Sequence, residues 1–193
     1  MRTGIFGGTF DPPHMGHLIA VEAARGLLHL DLVRVIPAAM SPHKLQQESS
    51  PASMRLKMTL LAFGGNPAFV IDERELRREG PSYMVDTLGE LRRESPGDEF
   101  FLMIGKDNIA EFGTWKEPER IFQMCTVVSL NRPLPPGPRF EGLSDKRIQH
   151  LDTPLVEVSS SIIRQRVRDR KSIRYLVPEA VHEYILDQRL YLD

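Results

Sequence analysis

The run Gly7 to His17, GGTFDPPHMGH, gathers residue types that handle phosphate. Gly7 and Gly8 let a backbone approach an anion with no Cβ in the way. A helix beginning just after them offers unpaired N–H groups and the positive end of its dipole. His14 and His17 lie three residues apart at that helix start, so both imidazoles can face one anion. Two common phosphate turns are excluded by spacing. Gly4, Gly7 and Gly8 do not form G-x-G-x-x-G, and no G-K-[ST] closes the run as in a P-loop. A second polar cluster, Ser159 to Ser161, precedes Ile162 and Ile163 and reads as a helix N-cap, with Arg164 one turn after Ser161 on the same face.

These groups need a frame, and short β-rich runs alternate with amphipathic stretches along the chain, the pattern of an α/β domain with a parallel sheet. A strand from about Thr3 to Phe6 leads into the glycine turn, and a helix follows from about Gly16 to Leu28. That is where open α/β sheets bind ligands. Leu32 to Ile36 predicts a second strand ending at Pro37. Ser41 to Ser53 is polar, carries two prolines and reads as a long exposed loop. Met54, Met58 and Leu61 mark one face of the next helix, which Gly64-Gly65 should stop with a left-handed cap. Phe69 to Ile71 reads as a strand, Ser82 to Arg93 as a helix, and the apolar run from Phe100 as a central strand buried on both faces. Further strands are expected at Thr126 to Leu130 and, last, at Leu155 to Val158. Between them the proline-dense RPLPPGPRFEG reads as a surface excursion. Helices from about Ser161 to Arg170 and Pro178 to Gln188, the latter opened by a proline in its first turn, close the pattern, with no evident internal domain boundary.

Composition narrows the function classes. The 193 residues suit one domain, and 41% hydrophobic with 26% charged residues can bury a core. Lysine and arginine number 25 against 26 acidic residues, a net charge of -1, so no global field grips a polyanion and nucleic acid is not an expected partner. The basic stretch Arg166, Arg168, Arg170, Lys171 and Arg174 reads as a solvated helix face. A single cysteine, Cys125, and no zinc-site spacing suit a reducing, cytoplasmic setting. No secretory leader and no membrane span is expected.

GGTFDPPHMGH resembles the G-x-F-D-P-x-H-x-G-H signature of the nucleotidyltransferase superfamily, and VSSSIIRQR (Val158 to Arg166) resembles its C-terminal I-S-x-T-x-x-R element. SPHK (Ser41 to Lys44), DERELRREGPSYMVDTL (Asp72 to Leu88), IGKDN (Ile104 to Asn108) and Thr114-Trp115 resemble the bacterial nicotinate-nucleotide adenylyltransferase branch, so the likeness spans nearly the whole chain. It implies a single Rossmann-like, doubly wound nucleotidyltransferase domain over residues 1–193, whose helices from about residue 159 complete an ATP site. It also implies transfer of AMP from ATP, with Mg²⁺, to nicotinate mononucleotide, giving nicotinate adenine dinucleotide and pyrophosphate. Sister acceptors, nicotinamide mononucleotide or phosphopantetheine, and a non-catalytic nucleotide-binding module are the alternatives. Oligomeric state is left open, a homo-oligomer included.

An acceptor phosphate is already an anion at pH 7, so such a transfer needs in-line positioning and charge neutralisation rather than a general base. His17 is assigned to the α-phosphate and His14 to an adjacent phosphate oxygen, with Gly7, Gly8, Thr9 and Phe10 lining the turn. By the resemblance, Ser161 and Ile162 cradle phosphate at a helix N-terminus and Arg164 joins the histidines in catalysis. Lys44 either reaches ATP when its loop closes or is a solvated lysine. Asp107 either accepts from a ribose, with Gly105 allowing close approach, or is a surface aspartate. Trp115 is implied to stack on the pyridine ring, with the backbone after it binding the carboxylate, Thr87 adding a hydroxyl and Lys116 an attraction for the anion. No metal ligands are assigned.

Overall fold

β1 runs from Arg2 to Gly8 and is followed by α1 at Met15–Leu27. A computed structural model of the chain describes residues 1–42, 49–105, 108–109, 111–130 and 147–192. β2 (Leu32–Pro37), α2 (Ala52–Phe63) and β3 (Phe69–Ile71) come next, then a single turn of helix, α3 (Arg74–Arg77), and α4 (Met84–Glu94). β4 (Glu99–Gly105) precedes a 3₁₀ turn at Phe112–Thr114, α5 (Pro118–Met124), β5 (Thr126–Leu130) and β6 (Ile148–Leu151). α6 (Ser160–Arg168) and α7 (Glu179–Asp187) follow.

The strands form one sheet in the order β3-β2-β1-β4-β5-β6, with every pairing parallel. This is the doubly wound order, and the chain reverses direction across the sheet between β1 and β4. Side chains alternate across the sheet with period two. Phe6, Val33, Val35, Phe101, Met103 and Val128 pack with α1 and Phe63 of α2 on one face. Ile5, Ile36, Phe100, Leu102, Ile104 and Val127 pack with Val85, Leu88 and Leu91 of α4 and Ile121 of α5 on the other. A third core joins Met58 of α2 to Ile163 and Val167 of α6 and Val181 and Ile185 of α7. Helix α2 thus belongs to both the sheet layer and the helical core. Cys125, where α5 ends, is buried, its thiol donating to Ile121 O at 3.3 Å, and burial pushes its pKa up to about 12.

Three sequence expectations need correction. The last strand is Ile148–Leu151, whereas residues 152–159 form no strand. Pro154 cannot donate to a ladder and Leu155 is 60% exposed, while IQHL buries only its two ends. Gly64 caps α2 in the right-handed region, at φ -67, not the left-handed one. A Cβ at Gly64 would lie 2.6 Å from Leu60 O, so glycine is required there by contact, not by dihedral freedom. Pro178 is the N-cap of α7 and not part of its first turn. The proline-dense run after β5 and residues 43–48 of the polar loop lie outside the described residues. Among the described residues no helix is long and apolar enough to cross a membrane.

Candidate active site

The glycine turn leaves β1 at the point where the sheet order reverses, and Phe10 to His14 are five consecutive buried residues. Phe10 takes φ +51, a left-handed conformation that costs a non-glycine residue about 1 kcal/mol or more. That bend sends its ring inward, against Phe6 at 5.6 Å, Phe63 at 5.7 Å and the edge of His17 at 5.4 Å. The Phe10 side chain therefore buttresses His17 and leaves only its backbone to a ligand. The spaces at Gly7 and Gly8 are also taken by protein: a Cβ would meet Met84 Cε at 2.9 Å and the Phe10 ring at 3.0 Å. These glycines serve internal packing, a role not anticipated from the sequence.

His14 and His17 stack, with ring centroids 3.6 Å apart and planes 21° from parallel. His14 is the N-cap of α1, and its backbone N–H donates to His17 Nδ1 at 3.2 Å, which fixes the His17 ring. Among the described residues the buried Nδ1 of His14 has no full hydrogen bond, although the His17 N–H faces its side chain as in a capping box. A buried polar atom with no partner is costly, and sites that receive a polar ligand are one place where it is found. Burial lowers the His14 pKa to about 4, so this imidazole is neutral at pH 7.

A buried turn holding two prolines has carbonyls that solvent cannot reach, and three distant side chains meet them. Arg55 of α2 donates to Thr9 O at 2.9 Å, Arg164 of α6 to Asp11 O at 2.8 Å, and Ser160 to Pro12 O at 2.8 Å. Arg55 also donates to Ala38 O, Ala39 O and Ser50 O, so four carbonyls surround a guanidinium only 1% exposed. Burial lowers its pKa, offset by the nearby Asp11 charge, and the group stays protonated. The Asp11 carboxylate accepts from Ser50 N at 3.0 Å and from the Tyr191 hydroxyl at 2.6 Å. Burial and the Asp11 charge push the Tyr191 pKa up.

α6 packs against this turn, and its serines divide their duties. Ser159 is the N-cap, accepting from Ile162 N at 3.2 Å. Ser160 holds the turn, while Ser161 is exposed beside Arg164, whose Nη2 lies 3.4 Å from its hydroxyl. Ile162 is 50% exposed, unusual for an isoleucine at the start of an amphipathic helix.

At the far side of β4 the picture is mixed. Gly105 ends β4, and apart from its chain neighbours no described residue lies within 4 Å of its Cβ position. Lys44 and Asp107 lie outside the described residues. Trp115 caps the 3₁₀ turn and packs on Phe112 at 5.1 Å against the second core. Thr87 departs from the expectation: it is fully buried, its hydroxyl donating to Glu75 at 2.6 Å and accepting from Arg78 at 2.9 Å. Both hydroxyl functions are used inside the protein, so it has none ready for a ligand. Burial raises the Glu75 pKa against the pull of Thr87, Ser82 and Arg78. Lys116 departs as well: Nζ sits 3.0 Å from Asp86 and over the Tyr83 ring at 4.7 Å, so its charge is largely compensated.

Arg55, Asp11, Ser160 and Tyr191 were not assigned from the sequence. Arg55 had a detectable signal, since Arg55, Met58, Thr59 and Phe63 share the buried face of α2 and a charge at such spacing must be paired.

The sheet order and the phosphate-type turn define a doubly wound nucleotide-binding fold. The chain belongs to the cytidylyltransferase-like family, whose model matches residues 5–166. Among curated relatives, a Geobacter metallireducens protein named "Probable nicotinate-nucleotide adenylyltransferase" is 44% identical, covering 99% of this chain and 98% of its own length. A Thermus thermophilus relative of the same name is also 44% identical, over 99% of this chain and all of its own. In fold the chain is similar to Plasmodium falciparum nicotinic acid mononucleotide adenylyltransferase complexed with NaAD, at TM-score 0.77 and 17% identity, covering 98% of this chain and 97% of that one.

Proposed function

We propose that this protein transfers AMP from ATP to nicotinate mononucleotide, releasing pyrophosphate and forming nicotinate adenine dinucleotide, a step of NAD biosynthesis. One observation carries the reading: two stacked imidazoles at the start of α1, on a buried turn at the sheet's reversal point, with the α6 N-terminus bonded to that turn. The full-length relatives carry the same activity in their names.

In this reading a phosphate oxygen of the acceptor attacks the α-phosphorus in line. The bond from α-phosphorus to the bridging oxygen breaks, and pyrophosphate leaves with that electron pair. No proton has to be removed from the nucleophile. His17, braced by Phe6, Phe10 and His14, donates to the α-phosphate as charge builds. His14 donates as a neutral imidazole, since burial lowers its pKa. Among the described residues two of the five Arg164 N–H groups have partners, and the others are proposed to donate to phosphate. Ser161 and Ile162, exposed at the first turn of α6, offer a hydroxyl and a backbone N–H. Lys44, Asp107 and the backbone of Gly7 to Phe10 and Gly105 complete the proposed ATP contacts, with Trp115 and the backbone after it for the acceptor.

Among the described residues no group of three or more His, Cys, Asp or Glu could hold a metal, and both Asp11 oxygens are occupied. The donors fit a Mg²⁺ arriving on ATP, where it would neutralise charge on the leaving pyrophosphate. We infer one domain and a cytoplasmic setting, in keeping with the lone buried thiol.

The test compares nicotinate and nicotinamide mononucleotides as acceptors by pyrophosphate release. Backbone N–H groups can donate to a carboxylate but leave an amide's donors unpaired, at about 1–3 kcal/mol per lost partner. At least a ten-fold kcat/KM preference for nicotinate mononucleotide is expected. Equal values would point to a dual-acceptor enzyme, and no pyrophosphate with either would refute the reading.

A further inference from the structure

Asp11 is buried at 4% exposure, and each carboxylate oxygen has a protein donor. One donor, Tyr191, comes from the segment after α7 and packs against the helical core. The chain bends sharply to bring it there. Arg189 at φ +51 and Tyr191 at φ +64 are both left-handed non-glycine residues flanking Leu190, while Phe10, beside Asp11, takes φ +51. Strain of this kind persists where the surroundings hold it in place. A 2.6 Å hydroxyl-to-carboxylate hydrogen bond thus joins two strained segments. Pro12 and Pro13, both buried and with φ locked by their rings, are all that separates Asp11 from His14. The orientation of Asp11 is therefore carried rigidly to the imidazole pair.

We propose that Tyr191, acting through Asp11, is a positioning residue for His14 and His17. It touches no reacting atom. The phenol holds the carboxylate, the carboxylate holds the prolines, and the prolines set the helix start from which both rings project. Arg55 and Arg164 steady the same turn through its carbonyls, but among the described residues only Tyr191 and Ser50 donate to the Asp11 side chain.

The inference rests on adenylyl transfer for its kinetic arm alone, and Tyr191→Phe, which removes one oxygen and keeps the packed ring, is the variant. At a temperature where circular dichroism shows it folded, kcat should fall about ten-fold, with the KM for ATP changed by less than about three-fold. In the ligand-free protein the imidazole nitrogen resonances of His14 and His17 should shift, which packing around Tyr191 alone would not cause. On an Asp11→Ala background, Tyr191→Phe should add no further loss of kcat. Wild-type kcat in Tyr191→Phe, or losses that multiply in the double variant, would overturn the proposal. Should Asp11→Ala not fold, the single variant's resonances and kcat decide. Should the wild-type protein release no pyrophosphate, the functional reading fails, and unmoved resonances would still overturn this inference separately.

Discussion

His14 and His17 touch face to face yet carry different tasks, and their surroundings separate them. His17 is braced by aromatic edges and receives the His14 N–H, so its orientation is fixed before any ligand arrives. If it stabilises charge in the transition state, His17→Ala should lower kcat by about 100-fold or more while changing the KM for ATP little, as steady-state kinetics would read. His14 makes a prediction about stability. Its folded pKa is about 4 against 6.5 when unperturbed. Between those values the unfolded chain binds a proton that the folded chain refuses. The contribution is therefore complete above pH 6.5 and is lost towards pH 4, by about 3 kcal/mol. Urea unfolding across that window should show a shallower acid loss in His14→Asn. ATP, whose phosphates favour the imidazolium, should also flatten the loss in the native protein.

At the scale of elements, α6 shows how neighbouring serines can do unlike work. Ser159→Ala removes the N-cap and should cost about 1 kcal/mol in urea unfolding, with little change in kcat because Ser160 and Arg164 still hold the turn. Gly64→Ala should cost about 1–3 kcal/mol, since its Cβ meets a backbone oxygen that cannot swing aside. Strong periodicity made most of the frame readable. β1, β2, β3, β4 and β5 fall within two residues of their expected ends because their side chains are apolar on one or both faces. β6 was missed because Gln149 and His150 interrupt its apolar pattern, and α5 because only Ile121 of its seven residues is buried. The signature turn was legible as a motif, since glycine, proline and histidine each constrain the backbone or bear a donor. Its supports were not, because Arg55, Ser160 and Tyr191 reach it from 46, 148 and 180 residues away along the chain. Local pattern carries no record of such distances. Thr87 and Lys116 misled for the related reason that Glu75, Arg78 and Asp86 claim them through the fold.

Across the whole molecule the shared helix α2 has a consequence for cooperativity. Met58 is fully buried in the helical core, and Phe63 of the same helix lies in the sheet core. Met58→Ala should therefore cost about 2–5 kcal/mol and lower one common midpoint, read alike by far-ultraviolet circular dichroism and by the fluorescence of Trp115 on the opposite face. Two separated midpoints would instead divide the chain into independent units. The thiol of Cys125, sealed behind α5 and unable to ionise near neutral pH, turns that same cooperativity into something that can be timed. Only a thiolate attacks a disulfide reagent and displaces its leaving thiolate, and here the thiolate forms only while the core around α5 stands open. The rate at which the native protein is labelled thus becomes a clock for its rare openings, one covalent mark for each successful excursion.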